Sequence, residues 1–429
     1  MPNLTGNNQY GEKNTPSDEE LRAAFLRYAA IPLNREQQIY ALGKEFDYHI
    51  RLTKLTELRK RLGIPTVRTQ KLPIEEVTAA VVDEMRRDPA KTHGPEFIQT
   101  QLRLKLILAP RDLIRSIMLV HDPTGFDLRF PGAKNRRVAR VPLTSAGPYS
   151  EISGDGHEKI SAQALRMGGV GFNIYGYKDK FTDSVEFLRI FPDIRSAGAG
   201  GHIMLDFVEE TGYIPIQLTT DKGSEVGWMY TFMSVLREIY APDIDPNMFP
   251  FHVLIKSIHN TIIEGFWRQL KEKLGLNLKD WLLRGKLEFL FNTHNPVHEP
   301  LFYWVFAPVI QLELDNFMVW WNNHRVRHQH EKIMPSGHVP SHAMQFPELF
   351  GALDCRIKVP REAVALLREQ LTEEEGSREQ FQSWPGLTAE FNILATEVYE
   401  NIGAPELNLE SSWDVFTVMA EKMTTAAYQ

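Results

Sequence analysis

Apolar positions recur at two different spacings along this chain. Near the N-terminus, Leu21, Phe25 and Tyr28 repeat three and four apart behind Ser17, and Glu20, three residues after that serine, completes a capping box. The same spacing predicts helices over Asn34–Phe46, Thr53–Leu62 and near 74–87, 93–106 and 110–121. Pro73, Asp88-Pro89 and Ala109-Pro110 mark the breaks. Short helices joined by the tight segment DYHIRL read as a helix-turn-helix, and a similar unit follows. Beyond residue 168 the period changes. GGVGFNIYGYKDKFTDSVEFLRIFP alternates apolar and polar residues, rich in aromatic and β-branched types, as a hairpin or meander does. HIMLDFVEETG then reads as helix with Gly212 as its C-cap, and YIPIQL as one buried strand ending near Asp221. Gly223 would permit a tight turn into a helix from Ser224 to Tyr240. Strands, helix, strand, helix make an α/β succession with a mixed sheet.

Composition adds boundaries to this pattern. At 429 residues with 43% hydrophobic content, two or three folding units with real cores are expected. Residues 1–16 are polar and are expected to be disordered, with no signal-peptide core and no apolar run long enough to span a membrane. A soluble, intracellular protein is the expectation. Cys355 is the sole cysteine, which excludes an internal disulfide and a multi-cysteine zinc site. The net charge of −7 is unevenly spread: residues 1–140 hold 24 Lys/Arg against 17 Asp/Glu, and the remainder 24 against 38. A basic front suits phosphates and an acidic rear suits cations. Candidate DNA contacts in the front are Lys54, Arg59, Lys60 and Arg61 on the third helix and Arg111 and Arg115 on the last. Arg136 and Arg137 join them from the basic linker RFPGAKNRRVAR.

Three acids stand out in the rear: Asp155 in GDGHEK, Asp221 in IPIQLTTDKGSE and Glu264 in KSIHNTIIEGFW. Carboxylate oxygens are hard ligands suited to Mg²⁺ or Mn²⁺, and two such ions can drive phosphodiester chemistry without a covalent enzyme intermediate. An acid on a first strand, another just past a later parallel strand and a third on a following helix is the layout of a ribonuclease H-like fold. On the third segment Asn260, Glu264, Arg268 and Lys271 share one helical face, with Ile258, Ile262, Phe266 and Leu270 opposite. Arg268 and Lys271 would then lie along the carboxylate side, available to phosphates. Lys222, beside the second acid, is a further phosphate candidate, and His259 and Asn260 stand one turn before the third acid as positioning groups or caps. Asp179, Asp183 and Asp206 suit ordinary surface charge. The histidines His324, His328, His330, His338 and His342 lie among Arg325, Arg327 and Lys332, which oppose a cation, so phosphate contact or packing outranks metal binding there. Trp304, Phe317, Trp320 and Trp321 read as core aromatics.

The segments GDGHEKISAQAL, GYKDKFTDSV, TTDKGSEVGW, SIHNTIIEGFWRQLKEK and ELDNFMVWWNNHRVRHQHEKIMPSGHVP carry a family resemblance. Together they resemble the integrase core domain proteins of eukaryotic, particularly fungal, transposable elements, over about residues 15–425 and most strongly 150–345. The resemblance implies Asp155, Asp221 and Glu264 as the metal-binding triad for two Mg²⁺ or Mn²⁺ ions. It implies double-stranded DNA, as transposon ends and target, for partner, no membrane, a homo-oligomer and a nuclear location. The chain would divide into a disordered start (1–16), a helical DNA-binding region (17–128), a basic linker (129–149), a five-stranded ribonuclease H-like α/β core (150–345) and a helical tail (346–429). Asp221 and Glu264 are 43 positions apart, wider than in retroviral integrases, and APDIDPNMFP accommodates the excess. The His/Cys zinc module of retroviral integrases has no counterpart at the front, where a helix-turn-helix takes its place. Two other readings stay open: a domesticated, non-catalytic DNA-binding protein, and a metal-dependent nuclease without strand transfer.

Overall fold

A computed structural model of the chain describes residues 15–70, 72–122, 144–256, 260–329, 332 and 334–427. The first fourteen residues, the basic linker with Arg136 and Arg137 up to residue 143, and Ile258, His259 and His330 lie outside the described residues. The chain divides into two units, one built from the front helices with Asn323–Arg325, the other from residues 88–92, 135–322 and 326 onward.

In the front unit the expected helices form as α1 (Asp18–Ala30), α2 (Arg35–Phe46), α3 (Leu52–Arg61), α4 (Ile74–Arg86), α5 (Pro95–Leu104) and α6 (Arg111–His121). Local signals set their starts. The Ser17 hydroxyl accepts the Glu20 N–H while the Glu20 carboxylate accepts the Ser17 N–H, and Asn34 and Gln37 repeat the arrangement for α2. Val77, Val81, Ile98, Leu102, Ile114 and Met118 close a core between α4, α5 and α6.

The second unit is built on a five-stranded mixed sheet in the order β3-β2-β1-β5-β6, the arrangement of a ribonuclease H-like core. Its strands are β1 (Glu151–Ile160), β2 (Phe172–Asp179), β3 (Val185–Phe191), β5 (Gln217–Asp221) and β6 (His252–Ile255). β1, β2 and β3 form the antiparallel meander, and β5 and β6 add in parallel to β1. After the short α7 (Ala162–Leu165), α8 (Ala197–Thr211) and α9 (Val226–Tyr240) bury Ile203, Phe207, Met229 and Phe232 against Tyr175, Tyr177 and Phe187 of the sheet. Gly212 ends α8 with φ 77°. YIPIQL divides instead of forming one strand: Tyr213–Ile214 makes a small strand β4 that pairs with β7 (Ile357–Lys358), and β5 begins only at Gln217. APDIDPNMFP falls in the connection between α9 and β6.

Then come α10 (Thr261–Leu270), a π-helical turn (Lys271–Gly275), α11 (Leu276–Leu287) and α12 (His298–Asn323). α12 covers the sheet edge. Its Gln311 and Asn322 amides bond the Leu188, Ile190 and Val185 backbone at 2.8–3.0 Å, so β3 does not present an open edge there. Phe317, Trp320 and Trp321 of α12 are buried, as their composition suggested, and Trp304 is half-buried. After α13 (Pro340–Gln345), the tail forms α14 (Arg361–Glu375), α15 (Arg378–Gln382), α16 (Ala389–Asn401) and α17 (Ser412–Ala427). It packs on the core: Arg368 of α14 bonds Asp206 at 2.9 Å, and the buried Trp413 of α17 donates to the Trp281 carbonyl at 2.8 Å. Among the described residues no helix is long and apolar enough to cross a membrane.

Asp179, Asp183 and Asp206 are not surface charge. Asp179 is fully buried and accepts the Tyr149 N–H, the Thr182 N–H and the Thr182 hydroxyl, each at 2.7 Å. Asp183 pairs with buried Lys178, and Asp206 with Arg368, Arg378 and Gln382. Each is a fold-holding acid with its acceptor capacity already engaged.

Candidate active site

Strand register brings two of the three acids together. Ser153 of β1 pairs with Thr219 of β5, and two residues further along each parallel strand stand Asp155 and Asp221. Side chains two apart share a face, so these carboxylates occupy the same face of neighbouring central strands, whose spacing is about 4.8 Å. Glycines flank Asp155 because the chain is pressed from both sides: a Cβ on Gly154 would stand 2.6 Å from the Tyr177 ring, and one on Gly156 would stand 2.6 Å from Ile194. Burial and then the Asp221 charge push the Asp155 carboxyl up to about 7, with Glu264 adding in the same direction. Glu264, in the first turn of α10, is exposed, whereas Asp155 and Asp221 are half-buried.

The helix carrying Glu264 is phased differently from the expected face. Its buried residues are Ile263, Phe266, Trp267 and Leu270, with Ile262 only half-buried. Asn260, expected on the carboxylate side as a positioning group or cap, is the buried N-cap residue of α10, and its amide nitrogen lies 3.3 Å from both the Gly154 carbonyl and Asp221 Oδ1. It therefore ties the helix start to the strands that carry both aspartates. Trp267 donates its indole N–H to Asp155 Oδ2 at 2.9 Å. Sequence reasoning assigned it no role, although its place three residues after Glu264 put it on a neighbouring surface of the helix.

Glu225, the last residue of Asp-Lys-Gly-Ser-Glu, is a further acid beside the site. Its carboxyl is raised by burial and then by Asp221. The same acids reach the buried Tyr175, whose hydroxyl is pushed well above its usual value by burial first, then by Tyr177, Asp155, Glu225 and Asp221. Cations border this acidic patch. Lys222, Arg268 and Lys271 are exposed, and Lys271 with Lys159 helps burial to hold His157 down at about 4.

Among the described residues no three His, Cys, Asp or Glu side chains form a group that could hold a metal ion as placed, and this includes His324, His328, His338 and His342. The donor chemistry at Asp155 and Asp221 nonetheless fits a hard divalent cation: crowded carboxylate oxygens whose mutual repulsion a cation would relieve. Asn260 Oδ1, buried and without a hydrogen-bond partner among the described residues, is one more hard oxygen beside them.

The front-unit candidates differ in engagement. Lys54 pairs with Glu57 at 3.0 Å, Arg61 with Asp18 and Arg111 with Glu96 at 3.4 Å. Arg59 is half-buried and donates to Gln38 at 3.2 Å. Lys60 and Arg115 are exposed on α3 and α6.

Residues 159–339 match the family model described as Integrase core domain. In this span the chain is similar to an integrase core. The matched span contains Asp221 and Glu264 and begins four residues after Asp155. Together with the sheet order it supports a DDE-type polynucleotidyl-transferase fold. No curated protein matches the chain.

Proposed function

We propose that this chain is a metal-dependent DNA strand-transfer enzyme of the DDE class, of the kind carried by eukaryotic transposable elements. The observation that carries the reading is the placement of Asp155 and Asp221 on one face of adjacent central strands within an integrase-like core. Asp155 and Asp221 would hold two Mg²⁺ or Mn²⁺ ions, with Glu264 completing the second site. Such ions supply the Lewis acidity that activates an attacking oxygen and steadies a leaving one. The protein's own part is positioning: Asn260 and Trp267 hold the two aspartates, while exposed Lys222, Arg268 and Lys271 meet backbone phosphates. The substrate is double-stranded DNA, a transposon end that is cut and then joined to a target through its 3′ hydroxyl. Engaging two ends calls for a homo-oligomer, and the work for a nuclear location.

The test is nicking and joining of end-containing DNA with Mg²⁺ or Mn²⁺, comparing wild type with Asp221→Asn. Metal-dependent joining that the substitution abolishes supports strand transfer. Cutting without joining assigns the protein to the nucleases, and DNA binding with neither leaves a domesticated binding protein.

A further inference from the structure

Helix α10 delivers a second group to the carboxylates besides Glu264. Trp267 lies one turn further on, is 4% exposed, and its indole N–H meets Asp155 Oδ2 at 2.9 Å. The ring also stacks on His157 at a centroid distance of 4.8 Å, so it is held on both its polar edge and its face. Gly176, directly opposite Asp155 on β2, makes the room: a Cβ there would stand 2.9 Å from the far edge of the indole. A buried tryptophan needs an acceptor for its N–H, but a carbonyl would serve. Here the acceptor is a carboxylate already crowded by Asp221 and Glu264, and a charge-assisted bond to it stabilises the ionised form.

We infer that Trp267 is a positioning residue for Asp155. By engaging Oδ2 it fixes the carboxylate's orientation beside Asp221, as the Asn260 amide does for Asp221 Oδ1. One helix thus orients both aspartates and carries the third acid. The inference rests on the reading of these acids as cation ligands, and adds a residue that touches no cation itself. Groups that orient ligands typically carry roughly 10–100-fold of metal affinity.

The experiment uses the full chain with Mn²⁺ alone, titrated by calorimetry into wild type, Trp267→Phe, Gly176→Ala and Asp155→Asn. Metal-free protein labelled with ¹⁵N-tryptophan provides a separate readout. Trp267→Phe should weaken Mn²⁺ binding by roughly 10–100-fold while circular dichroism stays that of wild type. Gly176→Ala, which displaces the ring and keeps the donor, should weaken it in the same direction, and carries the comparison if Trp267→Phe does not fold. In the metal-free spectra, the indole N–H signal missing from Trp267→Phe should be the one that moves in Asp155→Asn. An indole signal indifferent to Asp155→Asn, or unchanged affinity in folded variants of a wild type that binds Mn²⁺ through Asp155, overturns the positioning role alone. Wild type with no Asp155-dependent Mn²⁺ binding overturns the cation reading of the site and this role with it.

Discussion

Two aspartates in the same sheet, Asp155 of β1 and Asp179 at the end of β2, are both held up at about 7, in each case by burial first. Their surroundings differ. Asp179 is enclosed by donors: two backbone N–H groups and the Thr182 hydroxyl, all at 2.7 Å. Asp155 accepts from the Trp267 indole and the Gly156 N–H but is opposed by the charges of two acids, Asp221 and then Glu264. An acid saturated with donors closes a turn and has nothing left to offer a ligand. An acid placed among other acids opposes folding and makes sense where a cation is to be bound, so its environment separates a structural carboxylate from a functional one better than its shift does.

Neutralising Asp155 and truncating Asp179 separates the two most widely. Asp155→Asn should lower DNA cutting by about 10³-fold or more, since several kcal/mol of cation-assisted stabilisation is lost. Its thermal midpoint should stay level or rise as the crowding is relieved. Asp179→Ala should do the reverse, because it strands the Tyr149 and Thr182 N–H groups in the interior. A loss of about 3 kcal/mol in urea unfolding is expected, with cutting by the remaining folded protein little changed. Equal stability losses in both variants would end the distinction.

A pH series tests the donor-saturated acid at smaller scale. The Asp179 carboxyl is raised from 3.8 to about 7, so the folded state holds its proton where the unfolded chain has released it. Its stabilising contribution is complete below 3.8 and is lost as pH rises through 7. The gap between wild type and Asp179→Asn should therefore change steadily from pH 4 to 7 and flatten above. His252, pushed down to about 4 by burial, acts oppositely: its contribution is present above 6.5 and is lost as pH falls towards 4. Since both variants keep His252, that term cancels in the difference.

The contrast between these acids was only half legible in the sequence. Helix starts at Ser17 and Asn34 are local, capped within three residues, and the chain alone locates them. The strand, strand, helix placement of Asp155, Asp221 and Glu264 was legible too, from alternation and a motif. Two of the donors that make Asp179 structural come from Thr182, three residues on, but the third is not local. Tyr149 is 30 residues away, and the burial it helps to complete is what the surface reading of Asp179 missed. The split of YIPIQL depends on Ile357–Lys358, more than 140 residues later, pairing with Tyr213–Ile214. At α10 the apolar stripe was drawn through Ile258 and Ile262, but the helix begins after Asn260 and turns Ile263 and Trp267 inward. A tryptophan at such a position is read as core, and only the folded chain brings its N–H to Asp155.

The same distinction between engaged and unengaged charges orders the cations of the front unit, where the smallest effect is expected. Arg61 is paired with Asp18 and Arg59 is half-buried on Gln38, whereas Lys60 between them is exposed and makes no ion pair among the described residues. If α3 lies along DNA, Lys60 can reach a phosphate without giving up an existing partner, and Arg61 must first leave Asp18. Lys60→Ala should then weaken binding alike for every DNA sequence and reduce the slope of log affinity against log salt by about 1. Arg61→Ala should change that slope less and cost some stability of α1 and α3 instead, up to about 1 kcal/mol for an exposed pair. Filter binding of duplex DNA across a salt series distinguishes them, and an unaltered slope in Lys60→Ala would remove α3 from the DNA-binding surface.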